Sequence, residues 1–87
     1  MKELSQSDAL DVSITIFRGS TKEATEKIVH DVADKVIREE GCIFKSIFYM
    51  LDGTPIIRVI LSSKSIRKLE EDSRIFSIRK TAFFSPS

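Results

Sequence analysis

The alternation of residues from Val12 to Phe17 sets Val12, Ile14 and Ile16 on one side and Ser13, Thr15 and Phe17 on the other. A period of two in a β-branched run predicts a half-buried strand. After Arg18-Gly19 the period changes. Ala24, Ile28, Val29, Val32, Ala33, Val36 and Ile37 recur at helical spacing, opposite a face of Glu23, Lys27, His30, Asp31, Asp34, Lys35 and Arg38. Ser20 with Glu23 reads as a capping box at the start, and Gly41 as a left-handed residue closing the end. A helix is therefore expected over residues 20–41.

Residues 42–51 and 54–61 are rich in β-branched and aromatic side chains, and Asp52-Gly53 between them tolerates positive φ. That combination predicts a hairpin, with Pro55 at a strand start where its missing amide does least harm. Both strands are apolar on both faces. In the first, Ile43, Ile47, Tyr49 and Leu51 oppose Phe44, Phe48 and Met50; in the second, Ile56 and Ile60 oppose Ile57, Val59 and Leu61. Such strands are usually covered on both sides, and one helical layer covers only one.

Beyond Leu61 the pattern supports two readings. Ser62-Ser63 can cap a helix, and no Gly, Pro or Asn follows before Phe84. A continuous helix would carry Ile66, Leu69, Ser73, Phe76, Lys80 and Phe83 on one stripe and Ile75, Ile78 and Ala82 on another. Alternatively, a short helix ends near Asp72 and residues 74–84 form a fourth strand. The continuous helix is preferred here, because no strong breaker marks the turn a strand would need. Ser85-Pro86 ends the element. The fold class expected is an α+β two-layer sandwich, β-α-β-β-α with a fourth strand as the alternative ending, its antiparallel sheet carrying helices on one face. Residues 11–84 form one domain, between a flexible segment at 1–10 and a tail at 85–87.

A chain of 87 residues has a thin core, so a second apolar face matters. Its net charge of +1 argues against a protein living by phosphate neutralisation. From Arg58 onward seven Lys or Arg stand against three acids, a modest basic end that is either a solvated face or a contact for RNA. Arg67, Arg74, Arg79 and Lys80 are the candidates for such contact. The single cysteine excludes an internal disulfide. With no signal-peptide pattern at the N-terminus and no apolar run of membrane length, a cytoplasmic protein is expected.

No constellation for catalysis emerges. His30 lies on the charged helix face without companions to build a metal site. Cys42 has no neighbouring base and reads as a small apolar residue. The clusters Glu39-Glu40 and Glu70-Glu71-Asp72 read as adjacent acids that point apart on a helix, and Gly19, Gly41 and Gly53 are spread as punctuation rather than as a phosphate loop. The expectation is a non-enzyme without cofactor or metal. Phe44, Phe48 and Tyr49 are considered as RNA-stacking platforms, but residues 54–61 hold no aromatic and lack the Lys/Arg-Gly-aromatic signature of a four-stranded RNA-binding sheet.

The order strand–helix–strand–strand–helix resembles the small dimerisation subunit of the KEOPS complex, which makes the threonylcarbamoyl modification of certain transfer RNAs. The residues that carry the resemblance are Val12-Ser-Ile-Thr-Ile-Phe17, Ser20-Thr-Lys-Glu-Ala24, Leu51-Asp-Gly-Thr-Pro-Ile-Ile-Arg-Val-Ile60 and Ser65-Ile-Arg-Lys-Leu-Glu-Glu-Asp-Ser-Arg-Ile-Phe76. Where that family has Leu-Arg…Asn-Ser on its last helix, this chain has Ile66-Arg67…Asp72-Ser73. The resemblance implies a non-catalytic subunit that dimerises, docks on a larger ATPase-like subunit and helps hold transfer RNA. It places Ile66, Leu69, Ser73 and Phe76 on the docking helix. Glu39-Glu40-Gly41-Cys-Ile43 followed by Leu51-Asp-Gly53 also resembles the ACT regulatory module, a strand–helix–strand–strand–helix–strand domain that binds amino acids at dimer interfaces. This chain has Arg18-Gly19-Ser20 where that family has Pro-Gly-Leu. The residues themselves place the interface of a homo- or heterodimer on Phe44, Phe48 and Met50 of the sheet, with Ile75, Ile78 and Ala82 on the last helix. The other reading is that both apolar faces close within one chain.

Overall fold

A computed structural model describes residues 9–81 and orders them as β1 (Ala9–Ile16), α1 (Lys22–Ile37), β2 (Ile43–Tyr49), β3 (Pro55–Ser62), α2 (Ser63–Leu69) and β4 (Ile75–Lys80). The strands form one antiparallel sheet in the order β2-β3-β1-β4. This is the α+β fold expected, in the split βαβ arrangement of ferredoxin-like domains.

The alternation in β1 has the expected consequence. Val12, Ile14 and Ile16 are buried, and so are Ile57, Val59 and Leu61 of β3 beside them. Val29, Val32, Ala33 and Val36 of α1, Leu69 of α2 and Ile75 of β4 complete one core on that side. The other side of the sheet carries Asp11, Ser13, Thr15, Ile56, Arg58 and Ile60, and among the described residues no layer lies over it; all six are half-buried.

Three local expectations are corrected. First, α1 is capped by Thr21 rather than Ser20: its hydroxyl accepts from the Ala24 amide at 3.0 Å. The neighbouring Thr25 explains the shift. Its hydroxyl donates to the Thr21 carbonyl at 2.9 Å and accepts from the Gly19 amide at 2.9 Å, fastening the entering loop to the first turn. A Cβ on Gly19 would stand 2.8 Å from that of Ala24, so only glycine lets the loop come this close. At the other end the helix stops at Ile37. Gly41 (φ +78°) serves the turn that follows, where the Cys42 amide donates to the Glu39 carbonyl.

Second, the continuous C-terminal helix is absent. α2 ends at Leu69, and β4 follows after a turn built by Asp72. Its Oδ1 accepts from the Arg74 amide at 2.9 Å, and its carbonyl accepts from the Ile75 amide at 3.0 Å. An aspartate closing a turn with its own side chain does the work a glycine or asparagine was expected to do. Packing gives the deeper reason. On one long helix Leu69 and Ile75 would point to different sides, whereas the turn lets both enter one core. The positions assigned to that helix are thereby divided. Ile66 and Leu69 stay on α2, Ser73 is exposed in the turn, and Ile75, Phe76 and Ile78 lie on β4. Ala82 lies outside the described residues.

Third, a bulge between Phe44 and Ser46 shifts the register of β2. Phe44 pairs with buried Val59 and so stands on the helix side, while Phe48 pairs with Ile56 on the open side. The expectation that Phe44, Phe48 and Met50 share a face fails for Phe44, because one extra residue inverts all side chains before it.

Candidate functional site: the β2 edge and its hairpin

β2 is an edge strand, and none of its residues belongs to the core. Every position from Ile43 to Tyr49 is exposed. The large apolar side chains Ile43, Phe44, Ile47, Phe48, Tyr49 and Met50 are between 37% and 56% exposed, and Leu51 at the hairpin tip is fully so. The helices lie over the other strands, so even Phe44, Ile47 and Tyr49, which face the helical side, remain open. Exposed apolar side chains clustered in this way are the kind of surface that interaction sites present.

The hairpin holds this surface out. Met50 and Thr54 close it through Met50 N–H to the Thr54 carbonyl at 2.8 Å, and the Gly53 amide donates to the Met50 carbonyl at 2.8 Å. Gly53 has φ +90°, so the loop is a three-residue turn ending in a left-handed glycine. Asp52 Oδ1 accepts from the Thr54 amide, which holds the Asp52 carboxyl below its ordinary range. Arg18 donates to the Asp52 carbonyl and ties the tip to the end of β1. Beside the tip, Phe17 and Phe76 meet edge to face with centroids 5.2 Å apart, and with Met50 and Thr15 they line a shallow cleft of about 340 Å³.

Edge strands normally carry a charge or a bulge that keeps other chains away. β4, the opposite edge, follows that rule: its register shifts around exposed Phe76, and Arg79 and Lys80 are exposed at its end. The charge of β2 is used differently. Lys45 reaches across the open face to Asp11 Oδ2 at 3.2 Å, where Arg58 also binds at 3.3 Å. Burial acts to raise the Asp11 pKa, but hydrogen bonds from Lys45, Arg58 and Thr81 outweigh it and leave the carboxyl below its usual value. From Ser46 to Tyr49 the edge carries no charge and pairs regularly with β3.

Elsewhere the polar groups are engaged in holding the fold together. Ser65 donates to Glu39 Oε1 at 2.8 Å, and Lys68 lies 3.3 Å from Oε2, at the rim of a cleft of about 630 Å³. The Ser65 hydroxyl holds the Glu39 carboxyl low despite its burial, and Lys68 adds to this. Cys42 is pushed up by burial and by the charge of Glu39, the reverse of what a nucleophilic thiol needs. His30 is exposed. Among the described residues no group of His, Cys, Asp or Glu could hold a metal ion, and no helix is long and apolar enough to cross a membrane.

The basic candidates do not converge. Arg74 is committed to Asp72, Arg67 lies on α2, and Arg79 and Lys80 end β4. On the open face the two central strands present Asp11, Ser13, Thr15, Ile56, Arg58 and Ile60, with no aromatic for a base to stack on. Of the residues expected at an interface, Phe48 and Met50 are exposed on the open side and Phe44 on the helical side of the same edge; Leu69 and Ile75 are core. Ile43, Ile47, Tyr49 and Leu51 join the surface. Their alternation with Phe44, Phe48 and Met50 was the signal for it, since apolar residues on both sides of a strand need two covers. No family model, curated protein or solved structure matches the chain.

Proposed function

We propose that this chain is a non-catalytic scaffold module that works by association, with β2 and its hairpin as the docking edge. The observation that carries this reading is an edge strand, uncharged over residues 46–49, that the described residues leave uncovered on both faces while every other strand contributes to the core. The resemblance to the dimerisation subunit of a transfer-RNA-modifying complex fits such a role and supplies a setting, a larger ATPase-like subunit and the RNA it serves. A second reading is favoured by one observation. The order β-α-β-β-α-β is that of amino-acid-sensing regulatory modules, and a cleft of about 540 Å³ lies where Arg18, Thr21 and Lys22 meet Tyr49 and Asp52.

Light scattering of the full chain over a concentration series tests association. The expected mass is twice the 9.9 kDa of one chain, and Phe48→Lys is expected to return it to the single-chain value with an unchanged circular dichroism spectrum. A wild-type chain that stays at the single-chain mass throughout overturns the self-associating form of the proposal.

A further inference from the structure

The backbone of β2 dictates how another strand can join it. The Met50 amide donates inward, to Thr54. Alternation along an antiparallel ladder then directs the amide and carbonyl of Phe48 to β3, and those of Ile47 and Tyr49 to the free edge. The register agrees: Tyr49 lies opposite Pro55, which has no amide hydrogen to give, at a position where the ladder asks for none. Any strand added here must bond to Ile47 and Tyr49.

We propose that the added strand is β2 of a second copy, paired antiparallel about a twofold axis at Phe48. The proposal rests on the scaffold reading above and names its partner. With the axis at Phe48, Ile47 of each copy faces Tyr49 of the other, so outward-directed backbone groups meet outward-directed groups on both sides of the axis. The side chains match as well. Ile47 and Tyr49 both stand on the helical side, opposite buried Ile57 and Pro55, and the two Phe48 rings meet on the open side. An axis at Ile47 would instead set Tyr49 against Lys45, inside the bulge.

Two further features favour a copy over a different protein. A twofold contact brings like charges together, and here that cost is small because Lys45 is drawn aside to Asp11. The exposed apolar side chains of the edge would also meet their own counterparts across the axis, as a self-complementary contact requires. The result is an eight-stranded sheet with all four helices on one side.

Disulfide trapping reads the register. In the background Cys42→Ser, Phe48→Cys places two thiols at the axis, at a non-hydrogen-bonded pair with Cα atoms about 4.5 Å apart, within disulfide range. Oxidised glutathione is expected to convert this variant to a covalent dimer under native conditions. Ser46→Cys, whose two copies lie about 13 Å apart in this register, is expected to remain uncrosslinked. Tyr49→Pro removes an edge amide that β3 does not use, and is expected to weaken association at least tenfold while leaving the melting temperature of the monomer nearly unchanged. Equal trapping of both cysteine variants overturns the register. A dimer by light scattering that Phe48→Cys fails to trap overturns the pairing and leaves the scaffold reading standing. A chain that is monomeric at every concentration overturns the pairing and with it the self-associating form of the scaffold reading.

Discussion

Ile14→Ala is expected to cost about 3–4 kcal/mol of folding stability, in the upper part of the range for removing a buried isoleucine side chain. Ile14 lies in β1, one of the two central strands, wholly buried, with Ile57 on one side and Ile78 on the other. Neither neighbour can move into the space without breaking a ladder, so the cavity stays open. For a domain of this size the loss is a large part of a total of about 5–10 kcal/mol. Urea denaturation should show the midpoint falling by about 2–3 M with little change in slope. Ile56→Ala, at a half-buried position on the open face, should cost no more than about 1 kcal/mol. Equal losses at the two sites would mean that the open face is covered within one chain.

The second large effect centres on Asp72. Its nearly buried carboxylate accepts from Lys35 Nζ at 2.9 Å, and from Arg74 Nε at 2.9 Å and Nη2 at 2.7 Å, as well as from the Arg74 amide. It joins α1 to the turn that launches β4. The Arg74 guanidinium is the main reason its pKa lies far below the ordinary 3.8, and Lys35 contributes. Asp72→Ala is expected to cost about 2 kcal/mol, since both cations are partly hydrated and recover water when released. The pH dependence follows from the direction of the shift. A carboxylate depressed in the folded state gives its full stabilisation above pH 3.8 and loses it as pH falls toward the folded value. Wild-type stability should therefore fall steadily below about pH 4, and Asp72→Asn should fall less steeply over the same interval. Asp11 and Glu39, also depressed, keep some slope in that variant. An identical acid slope in the two proteins would remove Asp72 from this role.

Much of the scaffold was legible in residue order. The period of two from Val12 to Ile16, the helical spacing from Ile28 to Val36 and the Asp52-Gly53 turn each have a local cause, and each element is present. Two features were not legible, for different reasons. The bulge at Lys45 has no marker residue, because an extra residue in a strand needs no special φ; only the pairing with β3 reveals it. The turn at Asp72 did have a marker, but an aspartate inside a run of helix formers is ambiguous until the core is known. There the need to bury both Leu69 and Ile75 on one side overrode helix propensity. For the candidate site, the apolar character of β2 was readable and its exposure followed. Which side chains share a face was not, since that depends on the bulge.

β4 closes the side of β1 that β3 does not cover, and it is the final element of the described chain. Without it, both ends of the sheet would lie bare. Two bare ends allow head-to-tail stacking that never closes on itself, whereas one bare end allows only a pair. On the pairing proposed above, β4 limits an assembly to a pair, and a chain truncated before Ile75 is expected to yield filaments in place of discrete particles.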